Sequence, residues 1–181
     1  LKTYPVRHPR NGRVHAGFYE YTQLVFDEIL AVVKANRKNN ENVYVVGHSL
    51  GGAMAVLVAE ALTHEGIPVK ELRTYGQPRV GNRLFRQHLE GCDIGAYIRY
   101  VNNNDIVPKV PPTWLLFVHG GKLMYINHYG KIRVSTFWQR VKDQFRGIWA
   151  AAKRYKFFDF VADHGMPHYI EKAGVIAKDD K

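Results

Sequence analysis

Short apolar segments with the character of β-strands alternate with longer amphipathic segments along the first hundred residues of the chain. The strand-like segments are rich in β-branched and aromatic residues, and each runs into a turn-forming stretch: they are Val43–Val46, Glu71–Tyr75 and Ala96–Val101. Strands that alternate with helices favour a parallel sheet joined by right-handed crossovers. Because the sequence contains no repeats, low-complexity tracts or linkers, it predicts a single α/β domain over residues 1–181.

Apolar residues recur at helical spacing between these strands. A first helix is predicted from Gly17 to about Asn36, and the residues on its apolar face are Tyr21, Val25, Ile29 and Val32 or Val33. A second helix, made of small residues, is expected to end near Gly66. Asn82 caps a short third helix that runs to Leu89.

The pattern changes beyond Pro112. The apolar runs Leu115–His119 and Leu123–Ile126 flank two glycines and predict an antiparallel hairpin at the edge of the sheet. An amphipathic helix is predicted from Thr136 to about Trp149, followed by a helical or irregular segment up to Asp163.

The sharpest turn pattern follows the first predicted strand, where the sequence reads Gly47-His48-Ser49-Leu50-Gly51-Gly52. A Gly-x-Ser-x-Gly turn between a strand and a helix is typical of a nucleophile elbow, which lifts a serine hydroxyl above the sheet. Gly47 and Gly51 lack a Cβ, so the strand and the helix can cross closely. We therefore predict Ser49 as a nucleophile. The backbone N–H of Leu50, at the start of the new helix, is the predicted oxyanion donor.

A serine nucleophile needs a base, usually histidine, that a carboxylate orients. After such an elbow the partners follow in the order acid, then histidine. Asp105 lies four residues beyond the third strand, at the edge where open α/β sheets carry their sites. His119 and His128 fall in the predicted edge hairpin. His164 and His168 share a later loop, and order and spacing alone leave both open as the base.

The chain is basic, with 26 Lys and Arg residues against 16 Asp and Glu residues and a net charge of +10. That charge favours anionic partners, but no recognised nucleic-acid module is present, so we expect no nucleic-acid partner. The histidines show no zinc-ligand spacing, and Cys92 is the single cysteine, so we predict no metal, no cofactor and no intramolecular disulfide. Residues 1–10 show no signal-peptide pattern, and no apolar run approaches the ~20 residues of a transmembrane helix. The sequence therefore assigns no cellular compartment.

Much of the positive charge lies between Lys131 and Lys156, where eight basic residues accompany the acidic residue Asp143. Aromatic residues such as Phe137 and Trp138 are interleaved with them. One interpretation is a basic helix that docks on an anionic lipid surface. The other is an aromatic stripe that packs on the core beneath a solvated basic face.

Five motifs, in order along nearly the whole chain, resemble the class 3 (fungal-type) triacylglycerol lipases. They are Val14–Phe18, Gly47–Gly52, Thr74–Gly81, Asn104–Pro108 with Pro111-Pro112, and Asp163-His164 followed by Tyr169. The resemblance implies an α/β-hydrolase. Together with the patterns above, the expected fold is a central, mostly parallel sheet flanked by helices, with a C-terminal antiparallel edge hairpin. The resemblance also implies Ser49, Asp105 and His164 as the catalytic triad, because family members place the base directly after an Asp and before an aromatic residue.

The resemblance implies a serine hydrolase of lipid esters, most simply a triacylglycerol lipase. Family members carry an Arg-Gly-Ser/Thr-type loop upstream of the Val-His-x-Gly-Phe motif, which supplies a second oxyanion donor and precedes a lid. Leu1–Val14 contains no such motif, so we expect the sequence to lack this segment. The alternatives are a phospholipase A1, a feruloyl-type or short-chain esterase, and a catalytically silent, lipid-binding domain or fragment.

Overall fold

The computed structural model describes residues 4–38, 41–102, 105–126, 132–133, 164–167 and 169–170. Its strands are β1 (Pro5–Arg7), β2 (Arg13–His15), β3 (Val43–His48), β4 (Val69–Tyr75), β5 (Tyr97–Asn102), β6 (Lys122–Ile126) and β7 (Ile132–Arg133). Its α-helices are α1 (Ala16–Asn36), α2 (Ser49–His64) and α3 (Arg83–Glu90), and short 3₁₀ turns occupy Val107–Lys109 and Thr113–Leu115.

Within the described residues the main sheet has the strand order β3-β4-β5-β6-β7. Neighbours from β3 to β6 pair in parallel, and β7 pairs antiparallel to β6. Strands β1 and β2 form a separate antiparallel hairpin. The three strands predicted from the apolar runs are confirmed, and so is the α3 cap, because Asn82 Oδ1 accepts a hydrogen bond from the Phe85 N–H.

Helix α2 is the centre of the core. It packs against β3 and β4 and also against α1. Its middle residues are small or branched and almost completely buried, among them Ala53, Val56 and Leu62. Small side chains at such positions allow a helix to lie close to a sheet. The first turn of α2, which carries Ser49, is therefore held on a rigid support.

The predicted apolar face of α1 is wrong in part, since Tyr21 and Val32 are exposed. Ile29 and Val33 of the predicted face do pack against the core, where they are joined by Phe18, Thr22, Phe26 and Leu30. Thr22 is buried although it is polar, because its hydroxyl donates to the Phe18 carbonyl one turn earlier, at 2.8 Å. This local bond satisfies the hydroxyl and lets a threonine occupy a place where the sequence pattern favoured an apolar residue.

The predicted hairpin between Leu115–His119 and Leu123–Ile126 is also wrong. Thr113–Leu115 forms a 3₁₀ turn, Val118 bridges to Gly81, and β6 joins the sheet parallel to β5. The glycine pair does not reverse the chain. Gly121 has φ +70°, and a Cβ there would lie 2.5 Å from the Tyr97 ring, so the pair lets the chain pass closely over β5. The antiparallel edge hairpin is made by β6 and β7.

The helices predicted beyond Thr136 lie outside the described residues, and so do the aromatic residues of the basic segment. None of the helices in the described ranges combines the length and the apolar character needed to cross a membrane.

Candidate active site

Ser49 sits at the junction of β3 and α2 with a left-handed backbone conformation, φ +56°. Such a conformation is costly for a residue with a side chain and is retained where the surroundings enforce it. The close crossing enforces it here, since a Cβ on Gly47 would lie 2.3 Å from the Gly51 carbonyl oxygen. The elbow geometry is therefore present, with Gly47 at the close crossing. The role predicted for Gly51 is wrong, because a Cβ at that position would meet nothing within 4 Å.

Asp105 and His164 lie beside Ser49. The Ser49 hydroxyl lies 2.6 Å from His164 Nε2, and His164 Nδ1 lies 2.9 and 3.0 Å from the two carboxylate oxygens of Asp105. With the proton on Nδ1, the imidazole donates to Asp105 and accepts from Ser49. The arrangement can move a proton from the serine hydroxyl to a base whose orientation the carboxylate fixes.

Parallel strands bring these residues together although 115 positions separate Ser49 from His164. Strand β3 ends at His48 and β5 ends at Asn102, so Ser49 and the loop to Asp105 leave the sheet at the same edge. Gly76, after β4, lies beneath them. A Cβ at Gly76 would lie 2.7 Å from an Asp105 oxygen and 2.9 Å from His164 Nδ1, so this position must lack a side chain.

The Asp105 carboxylate is completely buried and held by neutral donors in addition to His164. The Val107 N–H donates to Oδ1 at 2.9 Å, and the Tyr169 hydroxyl donates to Oδ2 at 2.7 Å. The Asn102 N–H in turn donates to the Tyr169 hydroxyl at 3.0 Å. The residue pattern alone assigned no role to Tyr169. The aromatic position that follows the base in the resembling family was the one signal for it.

His48, directly before the serine, is a second residue that the sequence did not single out. Its Nε2 lies 2.8 Å from the backbone carbonyl oxygen of His164, and the two rings stack at 4.8 Å. His48 therefore helps to position His164, the predicted base. Its place in the Gly-x-Ser-x-Gly turn gives no hint of this, because the contact spans most of the chain.

Among the other candidate histidines, the structure describes His119. His119 Nε2 donates to the Pro108 carbonyl at 2.7 Å, in the loop that follows Asp105. Burial, together with the nearby charges of Arg99 and Arg79, lowers the pKa of His119 to about 3, so it remains neutral in ordinary buffers. His128 and His168 lie outside the described residues. Of the histidines that the structure describes, His164 is the one that contacts Ser49.

Leu50 is the second residue of α2. Its backbone N–H belongs to the first turn, where the amides have no intrahelical acceptor and the helix dipole favours negative charge. This placement is compatible with the predicted oxyanion donor. We assign no second donor among the described residues.

One further group of side chains could offer metal ligands, namely His8, Glu60 and His88. Glu60 is buried, and Arg10 Nη1 contacts both of its oxygens, at 2.9 and 3.2 Å. His88 Nε2 lies 2.7 Å from Glu60. Since a guanidinium already neutralises this carboxylate, we assign the group to stability, where it ties the loop after β1 to α2 and α3.

Comparison with known proteins places these features in a family. The family model for Lipase (class 3) matches residues 1–114. A lipase of Rhizomucor miehei is 39% identical over 130 residues, which are 67% of this chain and 36% of that protein. A secreted mono- and diacylglycerol lipase A of Penicillium cyclopium is 36% identical over 122 residues, which are 66% of this chain and 39% of that protein.

Solved structures agree with this result. A Rhizomucor miehei lipase propeptide complex superposes with a TM-score of 0.66 at 36% identity, covering 73% of this chain and 45% of that one. A triacylglycerol lipase whose catalytic centre is formed by a serine protease triad superposes with a TM-score of 0.61 at 37% identity, over 70% of this chain and 50% of that one. The predicted α/β-hydrolase fold is confirmed. The chain spans half or less of the length of these relatives.

Proposed function

Since this chain belongs to the class 3 lipase family, we propose that it hydrolyses the carboxylic esters of lipids through an acyl-enzyme on Ser49. The observation that carries the proposal is the continuous hydrogen-bonded line from Ser49 through His164 to Asp105, with 2.6 Å between the hydroxyl and the imidazole. A strained serine at a helix N-terminus, aligned with a base and a buried acid, is suited to attack an ester carbonyl.

The steps follow from the proton positions. His164 Nε2 takes the proton of Ser49 as the serine oxygen bonds to the carbonyl carbon, and Asp105 stabilises the imidazolium that results. The backbone N–H of Leu50 donates to the oxyanion of the tetrahedral intermediate. His164 then gives the proton to the leaving alcohol. A water molecule repeats the sequence on the acyl-enzyme and releases the acid.

An apolar acyl chain suits the surroundings of this site. Each triad residue is followed closely by apolar side chains with exposed surface: Leu50 after Ser49, Ile106 after Asp105, and Met166 and Ile170 after His164. Exposed apolar side chains near the triad residues in the chain support lipid esters over polar ones as substrates. The names of the relatives point the same way, since they are lipases of mono-, di- and triacylglycerols. We therefore propose triacylglycerols as the substrate class, with phospholipids and short or feruloyl-type esters as alternatives.

We also propose contact with an anionic lipid interface through residues 131–156. The support is the charge of that segment, eight basic residues against one acidic residue. A sedimentation assay with anionic vesicles at low and high salt tests this, because electrostatic binding must weaken as salt rises.

The test of the activity is hydrolysis of p-nitrophenyl acetate, octanoate and palmitate by this chain and by its Ser49→Ala variant. We expect a rate that disappears in the variant while its circular dichroism and melting temperature are retained. A rate that rises toward palmitate supports a lipase, and one confined to acetate supports an esterase. If no ester is hydrolysed in a Ser49-dependent way, the alternative of a silent lipid-binding domain or fragment replaces the proposal.

A further inference from the structure

The loop that follows Asp105 is bound from outside at four consecutive carbonyl groups. These are the carbonyls of residues 108–111, and each accepts a hydrogen bond from Arg79 or His119. Backbone carbonyls need a partner in the protein or in water. Because the same two residues supply the partner for all four, they fix this part of the loop to the rest of the fold.

Arg79 provides three of these bonds. Its backbone N–H donates to the Val110 carbonyl at 2.8 Å, and its Nη1 donates to the Lys109 carbonyl and, at 2.8 Å, to the Pro111 carbonyl. The guanidinium is suited to this task because its donors are held in one plane. Burial lowers the pKa of Arg79, and no Asp or Glu among the described residues forms an ion pair with it. The loop carbonyls are therefore the partners of this charge in the described fold.

His119 provides the fourth bond. Its Nε2 donates to the Pro108 carbonyl at 2.7 Å. Its Nδ1 is buried and has no hydrogen-bond partner in the described part of the chain. An unsatisfied buried nitrogen costs free energy, so the bond to Pro108 is the polar interaction that this ring contributes.

The bound segment is connected directly to the Asp105 carboxylate. The Val107 N–H donates to Asp105 Oδ1 at 2.9 Å, and Val107 is the first residue of the 3₁₀ turn. The Val110 N–H donates back to the Val107 carbonyl at 3.1 Å. A shift of the turn would therefore move the donor that holds the carboxylate.

Arg79 belongs to a segment that already fits closely against the proposed triad. It lies three residues after Gly76, where a Cβ would lie 2.7 Å from an Asp105 oxygen and 2.9 Å from His164 Nδ1. The Gly76 N–H is in turn bonded to the Tyr100 carbonyl of β5 at 3.0 Å. Arg79 thus joins the loop of the acid to the segment on which the acid and the base rest.

We propose that Arg79 and His119 are positioning residues for Asp105, which they serve by holding the turn whose Val107 N–H fixes the carboxylate. The inference rests on the proposed ester hydrolysis, because that proposal makes Asp105 the acid of the triad. Both residues act through the loop and not on the reacting atoms. A misplacement of about 1 Å in such a group can lower a rate by about 10²-fold.

The first experiment measures steady-state kinetics of Arg79→Ala on p-nitrophenyl octanoate. We expect kcat to fall by between about tenfold and about 10²-fold with little change in KM. Arg79→Lys keeps the charge but lacks the planar donors, so it should recover a small part of the loss. The matched control is Arg37→Ala, which removes a guanidinium bonded to the Glu41 carbonyl at 2.9 Å and should leave kcat within about twofold.

A double-mutant cycle distinguishes positioning of the acid from a general loss of structure. In an Asp105→Asn background, Arg79→Ala should change the residual kcat by less than about twofold, because the group through which Arg79 acts is already disabled. Ethylguanidinium, at a concentration that leaves the melting temperature unchanged, should restore part of the kcat of Arg79→Ala. Losses that are fully additive in the two backgrounds would overturn the inference.

The Nδ1 proton of His164 gives a readout that does not require turnover. Its NMR resonance, assigned by its loss in Asp105→Asn, should shift or broaden in Arg79→Ala and in His119→Ala and should be retained in Arg37→Ala. The His119 variant breaks the attachment at Pro108 and serves if Arg79→Ala does not fold. An unchanged resonance in both variants would overturn the inference. Failure of the hydrolysis proposal is separate, because it shows as absent Ser49-dependent turnover by the unmodified chain.

Discussion

Asp105 and Glu60 are both buried carboxylates that contact histidine side chains, yet their remaining partners differ in charge. Asp105 accepts from the Val107 N–H and the Tyr169 hydroxyl, which are neutral. Among the described residues, no lysine or arginine forms an ion pair with it. Glu60 instead accepts from the Arg10 guanidinium at both oxygens.

This difference explains why similar side chains serve different purposes. A guanidinium beside a carboxylate satisfies its charge permanently, so the Glu60 cluster stabilises the fold and gains little from a proton on histidine. Neutral donors hold Asp105 in place without cancelling its charge, which remains available to stabilise a transient imidazolium. The presence of a buried His and carboxylate therefore does not define a catalytic site. The proposed triad differs from the Glu60 cluster in the contact of its histidine with Ser49 and in the absence of a guanidinium bonded to its carboxylate among the described residues.

The largest effect should come from applying the same isosteric change to both carboxylates. Asp105→Asn should lower kcat for a soluble ester by about 10⁴-fold, because an amide favours the wrong tautomer of His164. Glu60→Gln should leave kcat within about threefold when assayed well below its melting temperature. Steady-state kinetics on p-nitrophenyl octanoate measures both. Equal losses in the two variants would contradict the distinction.

The next effect concerns stability, and here Glu60 should matter although it should hardly affect kcat. Glu60→Gln should lower the free energy of unfolding by about 3 kcal/mol, because it removes the negative charge and one of the two acceptor oxygens that Arg10 and His88 share. The control is Glu65→Gln, which breaks an exposed ion pair with Lys34 and should cost less than about 1 kcal/mol. Urea denaturation of the three proteins measures this. A Glu60→Gln variant as stable as Glu65→Gln would show that the buried cluster contributes little.

A smaller effect is expected at the neutral donor to Asp105. Tyr169→Phe removes the hydroxyl that donates to Oδ2 and should lower kcat about tenfold with little change in KM, since the lost bond fixes the carboxylate and not the substrate. The matched control is Tyr97→Phe, which removes a hydroxyl bonded to Gln77 at 2.7 Å. We expect that variant to lose stability while keeping its kcat. A normal kcat for Tyr169→Phe would make the tyrosine a packing residue only.

The smallest effect is a pH dependence of stability that arises from His8. Burial lowers the pKa of His8, with Glu60 opposing the shift and Arg10 and His88 adding to it. Below about pH 6.5 the unfolded chain gains a proton at this position before the folded chain does, so stability falls as the pH drops through that value. His8→Gln should lessen this fall by up to about 1.4 kcal/mol per pH unit. Urea denaturation at pH 7, 6 and 5 tests it, and parallel slopes for the two proteins would refute it.

The fold was largely predictable because its decisive signals are local. The glycines around Ser49, the Asn82 cap and the apolar strands each depend on residues that are neighbours in the chain. The errors arose where the local pattern was ambiguous. The run from Leu115 to Val118 is apolar at every position, so its periodicity could not show that a 3₁₀ turn ends at Leu115 or that Leu116 is exposed while Phe117 is buried. Likewise, Thr22 is buried in α1 because of a hydrogen bond that hydropathy does not register.

The sequence by itself determined the class of fold and predicted Ser49 and Asp105 as members of a triad, whereas the choice of His164 over His168 came from the family resemblance. Tertiary structure decided how those residues meet and what surrounds them. Tyr169 and His48 reach Asp105 and His164 across 64 and 116 positions of the chain. Gly76 is required because those two side chains lie against it. Contacts of this kind depend on the parallel sheet, which brings distant strand ends to one edge. No local sequence pattern predicts which distant residues meet there.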